Sequence, residues 1–126
     1  MSLFIIMGTL LAMLSVAFGA MGAHFLKDIL DVKALTVFQT ASTYQMYHGI
    51  ALILTALSLA HAHNSKILKT AGWFFLLGIL LFSGSLYGLS LFGIRSLGMI
   101  TPIGGICFIL GWLTFSLSFI VKKTIS

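Results

Sequence analysis

Charge is the scarcest property of this sequence. Seven Lys and Arg and two Asp make up 7% of 126 residues, against an apolar share of 60% and a mean hydropathy of +1.15. Soluble domains carry about a quarter charged residues and hide only about two thirds of their chain surface, so a water-soluble fold is excluded and most of this surface must meet lipid. Cysteine is nearly missing too. Cys107 stands alone in an apolar run, so neither an intrachain disulfide nor a cysteine metal site can form, and the residue reads as small buried filler. The length holds one transmembrane domain over residues 1–126 and no second domain.

The charge that is present is basic, with a net of +5. Its positions argue for headgroups and against nucleic acid: Lys27, Lys33, Lys66, Lys69, Arg95, Lys122 and Lys123 sit at the ends of apolar runs, and no basic stripe with interleaved aromatics exists. Membrane lipids are therefore the expected partners. The first apolar run is long and has no Lys or Arg before it, so it is expected to stay as a membrane helix and not to be removed as a leader.

Four spans are predicted, over about 3–23, 40–60, 70–92 and 102–121, none containing Asp, Glu, Lys or Arg. Each is near the ~20 residues that ~30 Å of hydrocarbon requires. Barrel strands would be shorter and would alternate. Short connections make successive helices antiparallel neighbours, and the expected fold is all-α: an integral membrane four-helix bundle, up-down-up-down. Both termini then share a side with Lys66, Lys69, Lys122 and Lys123. Opposite them lie Lys27, Lys33 and Arg95, offset by Asp28 and Asp31, and this bias puts the termini in the cytoplasm. The link from His24 to Gln39 has an apolar face and a polar one, which predicts a short interfacial helix between the first and second helices; alternatively Asp31 caps a second helix longer than the bilayer needs. Thr101 and Pro102 suit the cap and first position of the fourth helix. Gly49-Ile50 and Ile53-Leu54 match Gly105-Ile106 and Ile109-Leu110, a hint of duplication without a counterpart in the other two spans.

Small residues predict where helices touch. Gly8, Ala12, Ser15, Gly19 and Ala23 form a seam on the first helix, and Gly84 and Gly88 form a GxxxG pair on the third. Such seams permit close backbone contact in lipid; packing within the bundle is the first expectation and homo-oligomerisation the second. The densest polar group is Tyr44, Gln45 and His48, which share a helical face near the start of the second span. Polar groups in hydrocarbon need partners, so this face must turn inward. Up-down topology brings Ser83, Ser85 and Tyr87, Thr101 and His24 to the same end of the bundle, and convergence of these residues is the predicted site.

Two readings of that site compete. Intramembrane ionisable groups mark solute or proton routes, but a proton relay usually adds a carboxylate, and a paired network that fixes helix register needs none. His61 and His63 are too far out of phase on a helix, and too isolated from acids and Cys, for a metal site. HExxH, a GxSxG elbow, an Asp pair and a phosphate loop are all missing, so no catalytic residue and no cofactor is predicted.

At these same residues the chain resembles a known family: domain of unknown function 423, small bacterial membrane proteins related to eukaryotic transmembrane protein 256. The resemblance runs through Gly19-Ala20-Met21-Gly22-Ala23-His24 with Lys27, Phe38-Gln39-Thr40-Ala41, Tyr44-Gln45-Met46-Tyr47-His48, Leu81-Phe82-Ser83-Gly84-Ser85-Leu86-Tyr87, and Thr101-Pro102-Ile103-Gly104-Gly105 with Gly111-Trp112. It implies the four-helix fold and no assigned chemistry. The leading expectation is a non-enzymatic protein of the bacterial cytoplasmic membrane acting through helix or lipid contacts, in membrane integrity or as partner of larger membrane proteins. A small-solute transporter or channel subunit, with its polar site around His48, is the alternative.

Overall fold

The structure, a computed structural model, describes residues 2–61 and 65–125. Helix α1 (Ser2–His24) is followed by a 3-10 turn (Leu26–Asp28) and α2 (Val32–Leu59). Helix α3 (Ser65–Gly78) runs through one π turn (Ile79–Ser83) into α4 (Gly84–Phe92), making a single rod. A second 3-10 turn (Arg95–Met99) leads to α5 (Thr101–Ile125). The expected all-α bundle is what forms. Three helices among the described residues are long and apolar enough to cross a membrane: Leu3–His24, Lys66–Phe92 and Arg95–Val121. Helix α2 is the longest, at 28 residues, but Gln45 and His48 dilute its apolar character.

The start of α2 answers the choice left open by the link. Asp31 Oδ1 accepts a hydrogen bond from the Ala34 N–H at 2.7 Å, so the helix starts at Val32 and the linking helix shrinks to the three residues Leu26–Asp28. The cap satisfies one of four orphan amide donors. Asp31→Ala should therefore cost about 1 kcal/mol, and Asp31→Asn much less, seen as the shift of the thermal unfolding midpoint in detergent followed by circular dichroism.

Helix α2 is the hub. Phe38, Ala41, Gln45, His48, Leu52 and Ala56 recur at three- and four-residue spacing, and all are buried. Its face packs against α1, α3, α4 and the π turn, while α5 lies mainly on α3 and the π turn. Neighbours are antiparallel, as expected: Gly8 meets Gly49 while Gly22 meets Phe38, and Gly78 meets Phe108 while Gly111 meets Phe75. Phe4, Leu52, Ala71, Phe75, Ile79 and Phe108 fill the core between them.

Small residues contribute unequally. A Cβ on Gly8 would lie 2.6 Å from the Gly49 carbonyl oxygen, so the α1–α2 crossing depends on glycine there. Ser15 is buried, its hydroxyl donating to the Ala12 carbonyl at 2.7 Å, and Gly19 lies across from the Ser42 hydroxyl with room to spare. Gly88 faces the Leu97 side chain, whereas Gly84 has nothing within 4 Å of its Cβ position. The tightest backbone approach is elsewhere: Gly104 on α5 lies against the backbone of Phe82 in the π turn. Gly93, at φ 66°, ends α4 in the left-handed conformation that glycine adopts without strain, its N–H donating to the Leu89 carbonyl at 3.1 Å.

Candidate functional site

Because α2 begins at Val32, Tyr44, Gln45 and His48 lie at its middle and not near its start. Their depth follows from the neighbouring spans. The midpoints of Leu3–His24, Lys66–Phe92 and Arg95–Val121 fall at Met13 and Leu14, at Ile79 and at Phe108. Gln45 bonds the Leu11 carbonyl, and His48 stacks on Phe108 with ring centroids 3.5 Å apart. The polar group is therefore within about a helical turn of mid-depth.

Gln45 and His48 are each bonded at both polar ends. The Gln45 Nε2 donates to the Leu11 carbonyl of α1 at 2.8 Å, and its Oε1 accepts from the Tyr87 hydroxyl of α4 at 2.6 Å. One amide thus ties three helices together. Tyr87 is held by edge contacts with Phe18 and Phe38. The indole N–H of Trp112 donates to His48 Nε2 at 3.1 Å, and the opposite ring nitrogen, Nδ1, is 2.8 Å from the Tyr44 carbonyl. An indole only donates and a carbonyl only accepts, so the imidazole is neutral, with its proton on Nδ1.

The serines complete the seams and not a catalytic group. Ser83 is buried and donates to the Ala41 carbonyl at 2.7 Å, so its hydroxyl is not paired with His48. The π turn inserts a residue just before it, which rotates the Ser83 hydroxyl toward α2 and puts Phe82 beside Tyr44 at 4.8 Å between ring centroids. Ser85 shares a hydrogen bond with Thr101 and donates to the Phe82 carbonyl at 2.9 Å, joining α4 to the start of α5. These two lie about 10 Å along the axis from the level of His48. His24, at the end of α1, is exposed and makes none of these contacts. The predicted cluster is thus a ladder running from the Thr101 end to mid-depth, without His24. His61, two residues past the end of α2, is exposed, and His63 lies outside the described residues.

Beside the ladder, an open groove of about 660 Å³ runs between α2 and α5. Its walls are Tyr44, Tyr47, His48, Phe82, Pro102, Gly105, Ile106, Phe108, Ile109 and Trp112. Gln45 and Ser83 face away from it, into helix contacts.

Trp112 is the member of the hydrogen-bond network that sequence reading missed. A tryptophan this far inside a span needs an acceptor for its N–H, and that demand was the available signal. Leu11 carried none, since its contribution is a backbone carbonyl.

Fold and network together define a helical multi-pass membrane protein whose buried polar residues tie its helices to one another. The family described as "Protein of unknown function (DUF423)" matches residues 18–105. The chain is 50% identical over 113 residues to a UPF0382 membrane protein of Staphylococcus epidermidis, covering 90% of this chain and 91% of the relative. It is 49% identical over 118 residues to one of Staphylococcus haemolyticus, covering 94% and 95%, and 44% identical over 113 residues to YwdK of Bacillus subtilis, covering 90% and 92%. This chain belongs to the DUF423 family. No solved structure matches it.

Proposed function

We propose that this protein is a non-enzymatic component of the bacterial cytoplasmic membrane, with both termini in the cytoplasm, that acts through contacts of its outer surface with lipids and other helices. Helix α2 is its fourth span, with Gln45 and His48 buried against the other rods and away from lipid. The partners are membrane lipids, further copies of the chain or larger membrane proteins, and the outcome is membrane integrity.

One observation carries this reading. Among the described residues, no buried side-chain polar atom lacks a hydrogen-bond partner. A solute route needs groups that can exchange partners as the solute passes; here Gln45 and His48 are each bonded on both sides. Thr9 and Thr114 follow the same rule locally, each donating to a carbonyl one turn back.

The transporter reading is met by an experiment. Purified protein in liposomes should give proton, potassium and glycerol fluxes equal to those of empty vesicles, unchanged by His48→Ala, while a strain lacking the protein should leak a membrane-impermeant dye more readily under detergent stress. A flux specific to one solute, abolished by His48→Ala, would replace the contact role with transport.

A further inference from the structure

The polar network leaves out two hydroxyl groups. Tyr44 and Tyr47 both border the groove between α2 and α5, and neither phenol has a hydrogen-bond partner among the described residues. Tyr47 is 56% exposed and Tyr44 38%. In water such exposure would be unremarkable. On the outer face of a membrane bundle near mid-depth there is no solvent to satisfy an O–H group, and an unpaired one is costly. Gln45, His48, Ser83, Ser85, Tyr87, Thr101 and Trp112 each have a carbonyl or side-chain partner.

The rest of the groove narrows what such a partner would be. Six of its ten lining residues are aromatic rings, Tyr44 and Tyr47 on α2, Phe82 from the π turn, Phe108 and Trp112 on α5, with the His48 edge between them, and the other four are apolar. Aromatic walls favour a flat, polarisable occupant. At about 660 Å³ the space falls in the range of small-molecule sites, about 300–1,000 Å³. An ion is excluded by the charge-free walls and by the cost of charge at this depth. A phospholipid chain has the wrong chemistry, since its oxygens stay near the headgroups, about 15 Å away.

We propose that the groove between α2 and α5 binds a flat, uncharged, carbonyl-bearing lipid of the isoprenoid quinone class, its ring against Phe82, Phe108 and Trp112 and its carbonyl oxygens accepting from Tyr44 and Tyr47. The quinone reaches the groove sideways through the bilayer, the face on which the groove opens. No electron transfer is part of the site: it holds the ring and does not react with it. The proposal goes beyond the contact role and fails separately from it, because binding and solute flux are read by different experiments.

Trp112 supplies the test. Quinones quench indole fluorescence, and the second tryptophan, Trp73, packs on Phe4 away from the groove. The Trp73→Phe protein, in nanodiscs of phosphatidylethanolamine and phosphatidylglycerol, is titrated with decylubiquinone. The Trp112→Phe protein, emitting from Trp73 alone, is the reference. Saturable quenching of Trp112, at least three-fold steeper at low quinone than that of Trp73, is expected. Two variants should return it to the linear reference. Tyr44→Phe with Tyr47→Phe removes the donors. Gly105→Leu fills the groove; a Cβ there comes no closer than 3.9 Å to Phe82, so the fold should accept it. Linear quenching of both tryptophans overturns the proposal. So does strong quenching of Trp112 by phospholipids brominated in mid-chain that quinone does not relieve, which would make the groove an acyl-chain site.

Discussion

Gly104→Ala should destabilise this protein more than any other single methyl added to its glycines, by about 3 kcal/mol, whereas Gly84→Ala should be neutral or slightly stabilising. A Cβ on Gly104 would fall 2.7 Å from the Phe82 Cα and 2.8 Å from the Leu81 carbonyl carbon. These are backbone atoms, so no rotamer change relieves the clash, and α5 must move off the π turn. That shift would separate Phe108 from His48 and Thr101 from Ser85. Around Gly84 there is open space. Unfolding of the two variants in a detergent titration, read by circular dichroism, compares them directly. Equal losses would mean that the Gly84 face is itself a packed surface, which only a second copy of the chain or another helix can supply.

That contrast also marks where sequence reading stops. The GxxxG spacing of Gly84 and Gly88 is visible in the sequence, but spacing alone does not say which side of a helix has a neighbour. The π turn makes this worse, because one inserted residue rotates α4 relative to α3, and nothing in Ile79-Leu80-Leu81-Phe82-Ser83 announces it. Gly104 sits in the quoted Thr101–Gly105 motif, yet its role emerges only from the partner backbone.

Other features were legible because a single local rule decides them. Three of the continuous apolar runs coincide with helices long and apolar enough to cross a membrane. The antiparallel order followed from short links, and the capping of α2 by Asp31 was one of two stated alternatives. For α2 the limit of 40–60 placed Tyr44 to His48 near a surface, and beginning the helix at Val32 moves them to mid-depth. Three members of the predicted site, Gln45, Tyr87 and His48, do meet hydrogen-bond partners there, and Ser85 and Thr101 meet each other. The identity of the partners was less accessible. Leu11 takes part through its carbonyl, which every residue owns, and Trp112 is 64 positions from His48.

Gln45 is the residue on which the assembly of α1, α2 and α4 most depends, and Gln45→Leu should cost about 2 kcal/mol. Leucine nearly preserves the volume, so the loss is not a cavity effect. What disappears is the acceptor for Tyr87 and the donor to Leu11, and the two losses are unequal. The Leu11 carbonyl keeps its helical bond, because a carbonyl has two lone pairs and Gln45 uses the second. The Tyr87 hydroxyl, enclosed by Phe18 and Phe38, is left unpaired in hydrocarbon. Removing that hydroxyl as well should therefore recover part of the loss: Gln45→Leu with Tyr87→Phe should be more stable than the sum of the single variants predicts, by about 1 kcal/mol. A double-mutant cycle on the unfolding free energy measures the difference. Strict additivity would mean that Tyr87 finds another acceptor, and that the network ties its helices less tightly than its geometry implies.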